Sequence, residues 1–312
     1  MTDIINLLCA TDKNFVPYCG IMLTSLFENN KEEKLCVYII VDNSVKDKDR
    51  KLFVKLGEQY HQQIELISVD ESTFAQYPVY NKQWTNSIYY RLLAAELLPN
   101  TIDKLIYLDC DIIVNGHIRE MWEIDIANYA VGVVPDIWAP RQDVYERLDL
   151  KNDGLFFNSG SMLINLKYWR EKQLSEQFLD YIKNNFEKLW FNDQDTLNGV
   201  LVDQKLIIPV TCNYQIVFLK KALLATFSTE WQKQILETIS PLIIHYAAPT
   251  KPWMIIYYNM PFLSQWRYYR DMSYWRNTPN LLPKTKVINW LIKRYILWPL
   301  HIMHQTEYFK TL

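Results

Sequence analysis

Leu105-Ile106-Tyr107-Leu108-Asp109-Cys110-Asp111 is the stretch that decides how this 312-residue chain is read. A short, unbroken apolar run suits a strand covered on both faces, and this one ends by delivering two carboxylates one residue apart. Ligands of open α/β sheets bind at the carboxyl ends of the strands, so the pair stands where chemistry is expected. Two acids leaving a strand are costly to bury unless a cation compensates them. Hard oxygen donors suit Mg²⁺ or Mn²⁺ better than a thiolate-seeking metal. Such a cation would bridge a diphosphate and stabilise the charge on a nucleoside-diphosphate leaving group. A D-x-D pair also occurs in solvated turns, and the apolar strand in front of it gives this one its weight.

Working outward, Ile4 to Ala10, Leu35 to Val41, Ile64 to Val69 and Lys104 to Leu108 are further short apolar runs separated by helix-like stretches. That alternation predicts an α/β nucleotide-binding half with a mostly parallel central sheet. One helix is predicted over Val16 to Asn29 and another over Asn86 to Leu98, where Pro99 stops it. Beyond Asp111 the pattern loosens into a strand at Ala130 to Val134, a polar stretch from Pro140 to Gly154, and a helix over Lys167 to Lys188. Strands follow at Ile207 to Val210 and Leu242 to Tyr246. Insertions in this half would form an acceptor side. A boundary near Pro261 divides a catalytic domain, residues 1–260, from a helical, basic, aromatic-rich C-terminal extension, residues 261–312.

The 49% hydrophobic and 22% charged content is that of a folded globular protein. Its seven glycines form neither GxGxxG nor GxxxxGK[ST], so the usual backbone cradles for dinucleotide or triphosphate phosphates are absent. The five cysteines are scattered without a CxxC pair, which predicts a reducing cytosol. Met-Thr-Asp at the start lacks a basic n-region, and Lys293 and Arg294 break the apolar stretch Trp290 to Met303, so neither secretion nor a membrane span is expected. From Gln265 onward there are eight Lys and Arg against two Asp and Glu, leaving 25 against 33 for the rest. With Trp266, Trp275, Trp290 and Trp298, that tail reads either as an attachment to an anionic membrane surface or as an appendage with packed aromatics. A nucleic-acid partner is not expected.

Several separated motifs, taken in order, resemble those of the retaining glycosyltransferases of family 8, the LgtC and glycogenin type, and especially the bacterial lipopolysaccharide galactosyl- and glucosyltransferases. They are Ala10-Thr11-Asp12-Lys13-Asn14-Phe15, Tyr89-Tyr90-Arg91-Leu92, Tyr107 to Asp111, Phe157-Asn158-Ser159-Gly160, Asn192-Asp193-Gln194-Asp195-Thr196-Leu197-Asn198 and His245 to Trp253. The resemblance implies a GT-A type, Rossmann-like nucleotide-sugar domain over most of the chain.

It also implies roles. Asp109 and Asp111 match the metal-binding acids and His245 the imidazole that completes the shell, a set suiting Mn²⁺ better than Mg²⁺. A lone histidine on a strand would otherwise be read as a core or surface residue. Asp12 and Asn14 match contacts to the uracil and ribose, although both types also cap helices. Lys251 matches a lysine on the diphosphate. Arg91, Asp136, Asn158, Asp193 and Gln194 match residues around the transferred hexose, and Arg91 could equally serve as a structural ion-pair partner of one of these acids.

Retention ordinarily calls for a carboxylate nucleophile on the far face of the sugar. Gln194 matches that position, and an amide is a poor nucleophile. The resemblance therefore implies front-face attack by the acceptor hydroxyl, with Gln194 stabilising the oxocarbenium-like state and Asp193 binding a hydroxyl, or less simply acting as nucleophile. The expected donor is UDP-galactose or UDP-glucose. The expected acceptor is a glycan, lipid-linked in the manner of a lipopolysaccharide, on the cytoplasmic face of a membrane.

Two other functions fit parts of the sequence. A haloacid-dehalogenase-type phosphohydrolase also sets D-x-D at a strand end, but usually on the first strand and with Thr or Val where Ile113 stands. A catalytically silent nucleotide-sugar binding protein would keep the fold without turnover.

Overall fold

A computed structural model of the protein describes residues 3–70, 86–254 and 260–281. The strands are β1 (Ile5–Thr11), β2 (Leu35–Val41), β3 (Gln63–Ser68), β4 (Lys104–Leu108), β5 (Ile112–Val114), β6 (Val131–Val133), β7 (Ser161–Asn165), β8 (Lys205–Ile207), β9 (Tyr214–Gln215) and β10 (Ile243–His245). Seven of them form one sheet in the order β3-β2-β1-β4-β7-β6-β8, in which β7 alone opposes its neighbours. The mostly parallel α/β sheet read from the apolar runs is therefore the fold. β1, β2 and β4 are buried almost throughout, as strands covered by helices must be.

The helix Val16–Asn29 connects β1 to β2 and is buried from Val16 to Phe27 apart from Pro17, which sits in the first turn where its missing N–H costs nothing. The stretch predicted as one helix from Asn86 is a 3₁₀ helix over Asn86–Leu93 and α-helical over Ala94–Leu97. The helix predicted over Lys167 to Lys188 is broken: Leu166–Glu171 and Leu174–Asn185 meet at Gln173, whose φ is 51°. The break lets Trp169 meet Phe178 edge-on with ring centroids 5.0 Å apart, whereas nine residues along a continuous helix would separate them by roughly 13 Å. The strand expected at Ile207 to Val210 ends at Ile207, because Pro209 has no N–H for a ladder and a 3₁₀ turn, Val210–Asn213, follows it.

A second, three-stranded sheet, β5-β10-β9, is built from strands too short to leave a periodic signal. It bears directly on the chemistry, because β10 pairs antiparallel with β5 and sets His245 opposite Ile112, the residue after Asp111. The Tyr246 N–H donates to the Asp111 carbonyl at 3.0 Å.

After the catalytic half, the helix Leu263–Met272 lies against Val16–Asn29, where Asn29 Nδ2 donates to the Tyr269 hydroxyl at 2.7 Å. Trp275 packs so closely on Gly20 that a Cβ there would come within 2.1 Å of the indole. Trp266 and Trp275 are both buried, so for these two the packed-aromatic reading of the tail holds. Trp290, Trp298 and the stretch Trp290 to Met303 lie outside the described residues. Among the described residues no helix is long and apolar enough to cross a membrane.

Candidate active site

The chain runs from β1 outward to β2 and β3, then returns to place β4 on the other flank of β1. Strand order reverses there, and such a switch point leaves a crevice at the carboxyl ends of the two strands. Asp12 follows β1 and Asp109 follows β4, so both reach that crevice; the Cys110 thiol, donating to the Ala10 carbonyl at 3.1 Å, ties the two strand ends together.

Asp109, Asp111 and His245 each offer one ligand atom within 4.8 Å of the others. His245 Nδ1 lies 2.9 Å from Asn213 Oδ1, an acceptor that selects the tautomer protonated at Nδ1 and leaves the Nε2 lone pair for the site. Nε2 is 3.3 Å from Asp111 Oδ1. Gly160 closes the cluster from the β7 side: a Cβ on it would stand 2.3 Å from His245 Cε1 and 2.7 Å from Asp109 Oδ2. Two carboxylates, an oriented imidazole and a wall without a side chain fit a divalent cation of the Mn²⁺ or Mg²⁺ kind.

The chain also supplies positive charge of its own. Arg91 Nη2 donates to Asp109 Oδ1 at 2.7 Å, as the Tyr107 hydroxyl does at 2.9 Å, and Lys251 Nζ stands 2.5 Å from Asp111 Oδ2. Burial would raise the Asp111 carboxyl, but the Lys251 ammonium and the His245 ring hold it well below the usual carboxylate range. The cation compensation inferred from the sequence is thus partly met by two basic side chains.

Arg91 is buried and joins this cluster to a second one. Its guanidinium lies over the Tyr107 ring at 4.3 Å, reaches Asp193 Oδ2 at 3.1 Å through Nε, and donates through Nη1 to the Ser159 carbonyl at 2.9 Å. The ion-pair role weighed for Arg91 is therefore realised. Ser159 Oγ donates to Asp193 at 3.1 Å. Gln194 Oε1 accepts from Ser159 N at 3.1 Å and Asn158 Nδ2 at 3.2 Å, and the same Asn158 amide donates to Asp136 Oδ2 at 2.8 Å. Asn213 Nδ2 in turn donates to Asn158 Oδ1 at 2.9 Å, so the imidazole and the amide groups belong to one network. Buried networks of this kind are rigid when each member is satisfied.

Asp193 and Gln194 open the helix Asp193–Val200, preceded by Asn192 at φ 37° and ψ −95°. A non-glycine residue in such a conformation stores roughly 1–3 kcal/mol. At the other end of the crevice, Asp12 Oδ1 accepts from the N–H groups of Asn14 at 2.8 Å and Phe15 at 3.2 Å. The helix-capping alternative for Asp12 is thus realised, and Asn14 is exposed beside it. All eleven residues singled out in the sequence gather at this end of the sheet. Asn213, Ser159 and Gly160 carry contacts that the sequence did not assign, and for Asn213 no local pattern could have done so.

Burial pushes Asp193 up to about 6 against the pull of Arg91, and Asp136 is raised for the same reason. A carboxyl whose folded value lies above its unfolded value of 3.8 contributes stability that is complete below that value and is lost as pH rises through the folded one. Wild-type stability relative to an Asp193→Asn variant is expected to fall by ~3 kcal/mol between about pH 4 and pH 6. Urea denaturation of both proteins across that window checks it, and parallel curves would show that Asp193 does not titrate there.

Superposition on solved structures makes the class plain. The fold is shared with the galactosyltransferase LgtC, solved in complex with donor and acceptor sugar analogues, at a TM-score of 0.75 and 20% identity over 90% of this chain and 99% of that one. The protein has the GT-A fold of glycosyltransferases. More narrowly, it belongs to glycosyl transferase family 8, whose pattern matches residues 6–256, and it is a hexosyltransferase. The chain is 31% identical over 275 residues to a lipopolysaccharide 1,2-glucosyltransferase of Escherichia coli, spanning 87% of this chain and 77% of the relative. It is 28% identical over 283 residues to general stress protein A of Bacillus subtilis strain 168, spanning 89% and 97%. Family membership removes the phosphohydrolase reading.

Proposed function

We propose that the protein transfers galactose or glucose, with retention of anomeric configuration, from a UDP-sugar to a saccharide acceptor of the lipopolysaccharide or lipooligosaccharide type. The observation that carries this reading is the convergence of Asp109, Asp111 and His245 to within 4.8 Å at the switch point. These three would hold Mn²⁺, with Mg²⁺ the second candidate, and the bound cation would supply positive charge against the diphosphate. Lys251 adds a point charge on the same side. Asp12 and Asn14 hold the uridine, using the carboxylate and amide capacity that helix capping leaves.

Arg91, Asp136, Asn158 and Asp193 bind hexose hydroxyls, which need donors and acceptors fixed in place. Asp193 is held by Arg91 and Ser159, and a carboxylate so engaged serves better as a hydroxyl ligand than as a nucleophile. The Gln194 carbonyl dipole faces the positive charge that grows on the sugar ring. The acceptor hydroxyl attacks from the face that UDP leaves, and its proton passes to the departing phosphate oxygen. Kinship with the Escherichia coli glucosyltransferase supports a lipid-linked acceptor on the inner face of the cytoplasmic membrane, with residues 261–312 as a candidate for peripheral attachment.

The test is UDP release from a panel of UDP-hexoses with and without Mn²⁺. Metal-dependent hydrolysis of one UDP-hexose identifies the donor. UDP-sugar binding without turnover on any acceptor would favour the silent-binder reading instead.

A further inference from the structure

Behind the helix that carries Asp193 and Gln194 lies a buried ion pair with no part in the functions assigned above. Arg147 Nη1 and Nη2 donate to Asp195 Oδ2 at 2.7 Å and Oδ1 at 3.0 Å, with the Asp195 side chain fully buried and that of Arg147 nearly so. Arg147 Nη1 also donates to the Lys188 carbonyl, and the Trp190 ring covers the guanidinium at 4.4 Å. Asp195 Oδ2 accepts from the Phe191 N–H at 2.8 Å. The pair thus grips both sides of Asn192, whose left-handed φ of 37° precedes Asp193. Arg147 itself ends the helix Gln142–Arg147, in the polar segment read as the acceptor side.

We propose that Arg147 is a positioning residue: through Asp195 it holds the strained turn at Asn192 and so fixes the aim of Asp193 and Gln194 at the hexose. This rests on the functional reading above. A strained turn persists when its surroundings over-determine it, and here the surroundings are two parallel N–H bonds from one planar fork and one backbone amide on the same carboxylate. Geometry of that kind belongs to arginine and not to lysine, whose ammonium is a single point charge. Because the pair touches neither the metal trio nor the uridine end, its loss should misplace the sugar and leave the nucleotide side intact.

The test compares Arg147→Lys with wild type in four readouts: thermal melting, Mn²⁺-dependent UDP affinity, the gain in affinity of UDP-hexose over UDP, and kcat for metal-dependent UDP-hexose turnover. The expected result is a folded variant with unchanged UDP affinity, loss of most of the hexose gain, and kcat lowered by about 10–100-fold, the scale of a misplacement near 1 Å. A folded variant with wild-type kcat, or one whose UDP affinity falls in step with its activity, would overturn the proposal. If Arg147→Lys does not fold, Asp195→Asn, which keeps the shape and one acceptor oxygen, is held to the same criteria. Wild-type protein that gains nothing from the hexose would sink the functional reading, and this inference with it; wild-type gain with an unaffected variant sinks the inference alone.

Discussion

Asp111→Ala is expected to lower kcat/KM for UDP-hexose turnover by about 10³-fold or more, corresponding to ~4 kcal/mol of lost charge stabilisation. The carboxylate has three partners that no neighbour replaces: His245 Nε2 at 3.3 Å, Lys251 Nζ at 2.5 Å, and the Asp109 side of the metal trio. Its removal takes away one of the two hard oxygen donors. It also leaves the Lys251 ammonium without its carboxylate, facing the position of the incoming cation. The backbone is little affected, since the Asp111 carbonyl still accepts from Tyr246 N. The measurement is turnover as a function of Mn²⁺ concentration, with circular dichroism as the check on folding. Full restoration at millimolar Mn²⁺ would mean weakened affinity at an otherwise competent site. Unchanged activity at every concentration would remove Asp111 from the metal assignment.

Gly160→Ala is the second large effect, and it acts without deleting any functional group. The new methyl would lie 2.3 Å from His245 Cε1, 2.9 Å from Nε2 and 2.7 Å from Asp109 Oδ2. None of these is the loose end of a flexible chain. Asn213 holds the imidazole, Arg91 and Tyr107 hold the carboxylate, and the Gly160 carbonyl is bonded to Asp109 N at 2.8 Å. Ser161 next to it is paired with Leu108, so the backbone cannot retreat without breaking the β4–β7 ladder. The overlap is therefore relieved by splaying the metal ligands. Metal affinity and turnover are expected to fall together by about 100-fold, the upper end of what disturbed ligand orientation costs, while stability falls by ~1–3 kcal/mol, as for other overpacked sites. Metal titration by calorimetry separates the two. A stability loss with normal metal affinity would show that the strain escapes elsewhere.

How much of this was legible beforehand depended on the range of the signal. β2, β4 and the helix Val16–Asn29 fall where the apolar runs place them, because burial on both faces writes itself into consecutive residues. β5 and β10, with three residues each, and β9, with two, are too short for any period. Their pairing, which brings His245 to Asp111, could be inferred only through family resemblance. Arg91 and Lys251 were identified as ligands of substrate; their second task, neutralising Asp109 and Asp111, depends on contacts across 18 and 140 positions that no local pattern reports. Gly160 looked like one letter of a motif, and its reason is the approach of an imidazole from a distant strand. The break at Gln173 was invisible because the residues on either side are good helix formers, and the Trp169–Phe178 contact that favours it is tertiary.

The small β5-β10-β9 sheet has a consequence for how the protein comes into being. A nascent chain that has emerged through Asn198 already carries both aspartates and the Asp193–Gln194 pair, yet it has no imidazole to add to them. Closing so long a loop is slow and waits on the body of the sheet. Capacity for the cation is therefore gained in one late step, when β10 docks beside β5. A ribosome-bound or C-terminally clipped chain lacking β10 would hold two acids, a lysine-free Asp111 and no working centre, so unfinished molecules neither sequester metal nor spend sugar nucleotide.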